Sequence, residues 1–240
     1  MQFFRVENQP TGFTVVLVRT DGERLFLANL GHQNSYSLKP DWKHILDLID
    51  PGDFLHVSGY FMLPKLRAEL LALLMEARER KARISFDPGW DSNGFNETSR
   101  TELLQLLPHV NFFEPNESEL KAISRKPTIA ESINEVSAHY SGVVALKLGE
   151  LGSRIYDHGR IVGEAKSFPT QVIDSTGAGD VFDAGFIHGI IKQQNHVEAA
   201  RIGNAAASIL ISRKGAGHSR FPTVVEIVNL AAGVAEAGRT

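Results

Sequence analysis

Residues 174–186 read DSTGAGDVFDAGF, a run of small residues that leads through Asp180 into an apolar segment. Gly177 and Gly179 permit backbone dihedrals and close approaches that other residues do not. Consecutive N–H groups at the start of a helix attract an anion such as phosphate. The stretch therefore predicts a turn that enters a helix and binds an anion, with Asp180 placed to act as a general base. The simpler alternative is a tight turn in which Asp180 only caps the helix.

The chain on either side of this turn alternates short apolar runs with helix-like segments. Strands are predicted for the apolar runs at residues 54–57, 84–86, 110–113 and 143–147. Helices are predicted at residues 40–48, 64–80, 179–192, 197–212 and 223–235. Two more β-rich runs, 154–156 and 161–165, surround a turn that contains Gly159. This alternation is typical of an α/β fold in which helices cover both faces of a mostly parallel sheet.

Composition places the chain among ordinary globular proteins and narrows its partners. Its 240 residues are 42% hydrophobic and 22% charged, which suffices for a core and argues against disorder. The formal net charge of −3 shows no basic footprint, so nucleic acid is not expected as a partner. No apolar run reaches the roughly 18 residues of a membrane span, so no membrane partner is expected. The lack of cysteine suits a cytoplasmic protein.

Turns rich in polar residues or glycine follow four predicted strands, and such strand ends meet at one crevice in open α/β sheets. Their sequences are Ser58-Gly59, Asp87-Pro88-Gly89, Asn116-Glu117-Ser118-Glu119 and Lys147-Leu148-Gly149. Together with the glycine turn, they resemble in order and spacing the motifs of the pfkB family of ribokinase-like carbohydrate kinases. The resemblance implies a three-layer α/β/α ribokinase-like fold with a mostly parallel central sheet and a small β lid.

The resemblance gives the glycine turn a catalytic role. Asp180 would contact the substrate and act as the general base that accepts the proton of its hydroxyl group. The N–H groups of Gly177, Ala178 and Gly179 would form an anion hole for the transferred phosphoryl group. Asp183 stands where asparagine is common in the family, and the sequence by itself does not explain the added negative charge.

Other strand ends would bind ATP and Mg2+. Asn116 and Glu119 resemble the Asn-x-x-Glu motif of the family, which arranges magnesium through water. The same spacing also satisfies a helix capping box, which is the simpler explanation of the pair. Lys147 and Gly149, with Gly179, would contact the nucleotide phosphates. A plain turn beside a solvated lysine would give the same pattern.

The segment that follows the predicted helix at 179–192 completes the nucleotide site in the resemblance. Asn204 precedes a run of alanines and would contact the nucleotide, although helix packing alone also explains the alanines. A monovalent cation such as K+ would be bound nearby by oxygen atoms alone. Its ligands would come from Asp174, Thr176, Ile211, Lys214 and Ala216.

Two β-rich runs precede the α/β region. Residues 13–18 and 25–30 flank a segment with Asp21-Gly22, which is typical of a β-hairpin. In the resemblance this hairpin belongs to the lid. Family members often dimerise through it, so we expect a homodimer contact there.

The resemblance begins near Thr11, and the opening strand and sugar-binding Gly-Gly segment of the family have no counterpart ahead of it. Residues 1–38 would then be the remnant of the β-rich lid, and residues 39–240 the nucleotide-binding and catalytic core. Most contacts to the acceptor would be missing. Asp87 is the one substrate residue that the resemblance offers besides Asp180.

Three functions fit these residues. The first is an ATP-dependent phosphotransferase that acts on an alcohol group of a sugar or sugar-like substrate. The second, on the same fold, is a kinase for a nucleoside or a vitamin-type alcohol. The third is a nucleotide-binding or dimerising protein with impaired catalysis. The intact Asp180 and its glycine turn favour an enzyme.

Overall fold

The computed structural model describes residues 8–18, 24–37, 42–214 and 220–233. Two antiparallel strands, β1 (Phe13–Val18) and β2 (Arg24–Asn29), form a separate hairpin. The main sheet contains β3 (Phe54–Val57), β4 (Arg83–Phe86), β5 (Phe112–Phe113), β6 (Val143–Lys147), β7 (Ser153–Asp157) and β8 (Arg160–Ala165). The strands are neighbours in that order, with β3 to β6 parallel and β7 and β8 antiparallel. The mostly parallel sheet expected from the sequence is confirmed.

Helices connect the parallel strands and close the chain. They are α1 (Trp42–Asp47), α2 (Pro64–Glu79), α3 (Glu97–Leu106), α4 (Glu117–Ser124), α5 (Ile129–Ser137), α6 (Ala178–Ile191), α7 (His196–Ile211) and α8 (Val224–Ala231). Side-chain caps begin several of them, because the first N–H groups of a helix have no partner within it. Asn195, for example, accepts the N–H groups of Val197 and Glu198 at the start of α7.

The structure differs from the sequence prediction at three helices and one strand, and helix α4 was expected only through its capping box. Helices α3 and α5 were not predicted, although Asn96 and Thr128 cap them. In α3 the apolar residues give a weak helical period, whereas in α5 Ile129, Ile133 and Val136 lie at helical spacing and were an available signal. Strand β5 has two residues instead of the predicted four, since Val110 and Asn111 lie between a 3-10 turn at Leu107–His109 and the strand. The predicted first residues of α1 and last residues of α8 lie outside the described ranges.

Alternate residues of the strands point to two different layers. On one side, which we call the apolar face, the strand residues join a core with α1 to α5: Ile84, Phe86, Phe113, Val144 and Leu146. On the other side, the α6–α7 face, Phe112, Val143 and Ala145 pack against the last long helices. The sheet is therefore the middle layer of three, as the sequence predicts.

Helices α6 and α7 lie unusually close to each other. A side-chain carbon added at Gly185 would lie 2.8 Å from the Cα of Gly203. One added at Gly189 would lie 2.6 Å from the Cα of Ala199. Both distances are too short for a real contact, so glycine is required there. Close packing fixes α6, and with it Asp180 in its first turn, relative to the sheet.

The β1–β2 hairpin contrasts with the sheet in its exposure. Its exposed apolar residues are Phe13, Val15, Val16, Leu17, Leu25 and Leu27. At its base, the Gly12 N–H donates to Nδ1 of His32 at 3.3 Å, and the His32 N–H donates to the Pro10 carbonyl at 2.9 Å. The hairpin itself is confirmed in the described strands, whereas the division at residues 38 and 39 stays a prediction. Among the described residues, no helix has the length and apolarity needed to span a membrane.

Candidate active site

A cleft of about 800 Å³ lies at the carboxyl ends of the parallel strands and beside α6 and α7. Most of the predicted site residues line it: Asp87, Asn116, Glu119, Lys147, Gly149, Gly177, Ala178, Gly179, Asp180, Asn204 and Ile211. Parallel strands end on the same side of a sheet, which explains why motifs far apart in the chain meet there. Asp174, Thr176 and Lys214 are not among the lining residues, and Ala216 lies outside the described residues.

The glycine turn and Asp180 form the floor of this cleft. Gly177 precedes α6 with a φ of 80°, a left-handed conformation that favours glycine. Asp180 stands in the first turn of α6, is exposed, and its Oδ1 accepts the Ser58 hydroxyl at 3.3 Å. The first-turn N–H groups of a helix point outward and carry partial positive charge. The turn thus has the geometry of an anion site with a carboxylate at its edge.

Lys147 lies directly beneath the turn and is ion-paired. Its Nζ lies 2.9 Å from Oδ2 of Asp87 and 3.1 Å from Oδ1 of Asp183. A side-chain carbon added at Gly179 would lie 3.5 Å from the same Nζ. The ammonium group is therefore held by two carboxylates rather than extended into solvent. The predicted contact between Lys147 and a phosphate stays a prediction, and Asp183 now has a physical explanation as its partner.

Burial and charge set the protonation of this group. The Lys147 side chain is 12% exposed and that of Asp183 is 0% exposed. Burial opposes the charged ammonium, but the carboxylates of Asp183 and Asp87 outweigh it and raise the pKa of Lys147. Burial likewise disfavours the charged form of Asp87, but the Lys147 ammonium and the hydrogen bonds to the carboxylate together outweigh it and lower the pKa of Asp87. Both residues are charged at neutral pH.

The buried carboxyl groups of Glu114 and Asp183 lie close to each other beside this ammonium group. Burial raises the pKa of Glu114 to about 8 and raises that of Asp183 as well. Oxygens of the two carboxyl groups lie within 4.8 Å of each other. We place a proton on Glu114 because Asp183 contacts the ammonium of Lys147. The otherwise unpartnered Oε2 of Glu114 then has a hydrogen to donate.

A short chain of hydrogen bonds continues from Glu114 to the sheet edge. The Ser85 hydroxyl donates to Glu114 Oε1 at 2.9 Å, and Nδ1 of His56 lies 2.9 Å from the same hydroxyl. Because the hydroxyl has a single proton, Nδ1 of His56 must carry the hydrogen that binds Ser85. Partial loss of water around the imidazole lowers the pKa of His56, even though the residue is exposed on the edge strand, and this favours its neutral form.

Of this polar row, Asp87 and Lys147 were predicted from the sequence as site residues, whereas His56, Ser85 and Glu114 were missed. The available signal was that polar residues face the same side on neighbouring strands. These residues are His56, Ser85, Asp87, Glu114 and Lys147. A polar residue at every second position of an apolar strand predicts that one face of the sheet holds charge.

Asn116 and Glu119 form the capping box that the sequence offered as the simpler explanation. The Glu119 N–H donates to Asn116 Oδ1 at 2.9 Å, and the Asn116 N–H donates to Glu119 Oε2 at 2.8 Å. Both residues also line the cleft. Burial raises the pKa of Glu119. Capping uses the single side-chain oxygen of Asn116 and one carboxylate oxygen of Glu119. The second oxygen of Glu119 is left for another contact.

Asn204 is buried at the side of the cleft, where α7 meets β7 and β8. Its amide nitrogen donates to the Ser153 hydroxyl at 3.0 Å and to the Ala165 carbonyl at 2.8 Å. The side chain thus joins the helix to two strands, and its predicted contact with a nucleotide stays a prediction.

Two of the predicted ligands of a monovalent cation, Asp174 and Ile211, already have partners at their oxygen atoms. Oδ2 of Asp174 lies 3.0 Å from Nη1 of Arg220, and Oδ1 accepts the Thr176 N–H at 2.9 Å. The Ile211 carbonyl accepts two N–H groups, those of Ile173 at 2.8 Å and Asp174 at 3.2 Å. These contacts do not fit a bound K+.

The fold and the strand-end motifs define a class of protein. A family described as pfkB family carbohydrate kinase matches residues 2–224. The chain belongs to this family, which confirms the resemblance seen in its motifs.

Individual relatives support the same class. A ribokinase of Arabidopsis thaliana is 30% identical over 217 residues, which are 88% of this chain and 54% of that protein. The chain thus spans about half the length of this relative. The structure of Arabidopsis thaliana ribokinase complexed with ribose and ATP has a TM-score of 0.77 and 22% identity, covering 93% of this chain and 70% of that one. The structure of adenosine kinase from Sinorhizobium meliloti has a TM-score of 0.80 and 23% identity. The match covers 98% of this chain and 69% of that one. These likenesses confirm the ribokinase-like fold.

Proposed function

We propose that the protein is an ATP-dependent phosphotransferase that acts on an alcohol group of a sugar or sugar-like substrate. The main support is the position of Asp180 at the edge of the Gly177–Gly179 turn, within a cleft of about 800 Å³ at the strand ends. Membership of a carbohydrate kinase family supports the same reaction class.

In this proposal Asp180 is the general base. One carboxylate oxygen is oriented by Ser58, and the carboxylate accepts the proton of the acceptor hydroxyl. The acceptor oxygen then forms a bond to the γ-phosphorus of ATP, while the bond from that phosphorus to the leaving oxygen of ADP breaks. The N–H groups of Gly177, Ala178 and Gly179 would stabilise the charge on the transferred group. Of these, the Ala178 N–H also donates to the Ser175 carbonyl at 3.2 Å.

Lys147 would strengthen this anion site from below. Its ammonium is charged and lies close to Gly179, and its carboxylate partners hold it there. A fixed charge in a buried position acts more strongly on a phosphoryl group than one in water. Gly149 lines the same cleft, and its lack of a side chain would let a nucleotide phosphate approach the backbone.

Mg2+ fits the residues at the start of α4. Asn116 and Glu119 offer amide and carboxylate oxygens, the donors that a hard cation prefers, and the oxygen of Glu119 not used in capping would hold a water of its shell. When bound, Mg2+ would neutralise the charge on the phosphates. Asn204, whose amide nitrogen is already hydrogen-bonded, would contact the nucleotide through its side-chain oxygen.

Besides Asp180, Asp87 is the residue proposed to contact the acceptor. Both oxygens of Asp87 have partners, since Oδ2 binds Lys147 and Oδ1 accepts the Gly89 N–H at 3.0 Å. Asp87 would therefore contact an acceptor only in addition to these bonds. A nucleoside acceptor is the second candidate, favoured by the fold match to an adenosine kinase. A homodimer through the β1–β2 hairpin and a cytoplasmic location remain predictions.

A substrate panel tests the proposal. The purified chain is incubated with ATP, Mg2+ and ribose, fructose or adenosine, and phosphorylated products are followed by 31P NMR. Calorimetry measures ATP binding separately. Transfer to a sugar supports the proposal, transfer to adenosine alone selects the second candidate, and ATP binding without transfer to any acceptor selects a nucleotide-binding protein with impaired catalysis.

A further inference from the structure

Arg220 is a buried cation bound to a residue at the beginning of the glycine turn. The residue is 8% exposed. Its Nη1 lies 3.0 Å from Oδ2 of Asp174, and its Nη2 donates to the backbone carbonyl of the same Asp174. A guanidinium group thus holds both the side chain and the main chain of one residue.

Asp174 passes this constraint to the turn. Its other carboxylate oxygen accepts the Thr176 N–H, and its own N–H donates to the Ile211 carbonyl at the end of α7. Thr176 directly precedes Gly177, the residue with positive φ that starts α6. The guanidinium of Arg220, bound to Asp174, therefore fixes the conformation of the segment whose N–H groups would hold the phosphoryl group.

The same place is where the family resemblance would put a monovalent cation, and the described residues do not fit one. A K+ ion needs oxygen atoms with free lone pairs. Here the Asp174 carboxylate and carbonyl bind Arg220, and the Ile211 carbonyl accepts two N–H groups. A second positive charge a few ångströms from the guanidinium would also be repelled.

We propose that the Arg220 guanidinium takes the place of the monovalent cation, so that the chain carries its own positive charge at this position. Arg220 is then a positioning residue, which acts through Asp174 on the Gly177–Gly179 turn. Phosphoryl transfer would be independent of K+. The inference about rate rests on the proposed kinase function, whereas the inference about cation binding does not.

Arg213 offers a matched control. Its guanidinium also binds one carboxylate and one carbonyl, with Nη2 2.6 Å from Glu226 Oε1 and Nη1 3.2 Å from the Phe221 carbonyl. It does not line the cleft. Replacing Arg213 by alanine removes the same type of contact without touching Asp174.

The experiment compares the wild type with Arg220→Ala, Arg220→Lys and Arg213→Ala. Each is measured in potassium chloride and in tetramethylammonium chloride at equal ionic strength. Thermal unfolding reports cation binding without turnover, and ADP release in the presence of an acceptor reports the rate. We expect the wild type and Arg213→Ala to show the same unfolding temperature and rate in both salts.

For Arg220→Ala we expect the rate to fall about 10- to 100-fold without K+, since a buried charged hydrogen-bonding group is lost. Potassium, or free guanidinium, should raise both its unfolding temperature and its rate. Arg220→Lys keeps a positive charge and should need less K+ than Arg220→Ala. A merely structural arginine would give no rescue by potassium.

Two results would overturn the inference. One is a wild type that is activated or stabilised by K+ relative to tetramethylammonium, a measurement that needs no variant to fold. The other is an Arg220→Ala protein that folds and gains nothing from K+ or guanidinium. If no acceptor is phosphorylated but Arg220→Ala alone is stabilised by K+, the kinase proposal fails while the cation inference stands.

Discussion

The two faces of the central sheet are built from the same strands and differ in what they bury. On the apolar face, Ile84, Phe86, Val144 and Leu146 join one continuous hydrocarbon core with α1 to α5. On the α6–α7 face, the side chains at the carboxyl ends of the strands are charged or polar and form the polar row. Strand alternation lets one segment serve both purposes, since neighbouring side chains point in opposite directions.

The difference teaches where stability and chemistry lie in this molecule. Burial of hydrocarbon stabilises the fold without directional requirements. Buried charges are stable only while each has its partner, and losing one partner is more harmful than never having the pair. The apolar face should therefore tolerate changes that conserve volume, whereas the α6–α7 face should respond to the loss of single atoms or charges.

The largest expected effect is on turnover, at the exposed end of the α6–α7 face. Asp180→Asn removes the proposed base and keeps the size of the side chain. We expect the rate of phosphoryl transfer to fall about 10²–10⁴-fold. ATP affinity, measured by calorimetry, and the unfolding temperature should stay close to those of the wild type. Near-normal turnover in this variant would remove Asp180 as the base.

Removing the cation of the polar row should have the largest effect on stability. Lys147→Met leaves the carboxylates of Asp87 and Asp183 buried without their ammonium partner, and should lower the free energy of unfolding by about 3–5 kcal/mol. Urea denaturation measures this change. Adding Asp183→Leu to the same variant should recover part of the loss, because one unpaired charge is then gone. An unchanged unfolding free energy in Lys147→Met would mean that these charges are not buried as the structure has them.

Leu146, which directly precedes Lys147 on β6, tests the apolar face. Leu146→Ala opens a cavity in the apolar core and should lower the free energy of unfolding by about 2–5 kcal/mol. Leu146→Met, which conserves volume, should lower it by less than about 1.5 kcal/mol. Below the unfolding transition, turnover per folded molecule should match the wild type in both variants. A selective loss of turnover would show that the two faces are not independent.

The smallest effect concerns the proton on Glu114. Its pKa is raised from 4.5 in the unfolded chain to about 8 by burial, so the folded state holds a proton that the unfolded state releases. Its stabilising contribution is complete below pH 4.5 and is lost as the pH rises to about 8. Relative to Glu114→Gln, which has no titrating group, the free energy of unfolding of the wild type should fall steadily across this window. Denaturation of both proteins at several pH values measures the difference. Parallel pH profiles would show that Glu114 is ionised in the folded state.

Much of the architecture can be predicted from the sequence because its signals are local. The predicted ranges of β3 and β6 match the structure residue for residue, since each is a short apolar run between turns. The capping box of Asn116 and Glu119 is encoded by a three-residue spacing. Helix α3 was not predicted because its cap residue, Asn96, precedes a segment whose apolar residues show little helical period, whereas the helical spacing of Ile129, Ile133 and Val136 made α5 predictable.

The sequence by itself determined the order of the strands, the glycine turn before α6, and the set of residues at the strand ends. These follow from hydrophobic period, turn chemistry and spacing within a few residues. Only the tertiary structure decided the partners of the charged groups: Lys147 with Asp87, 60 residues away, and Arg220 with Asp174, 46 residues away. Charge pairing depends on distance in space and on burial, which raises the energy of an isolated charge. Neither quantity is contained in a local stretch of sequence.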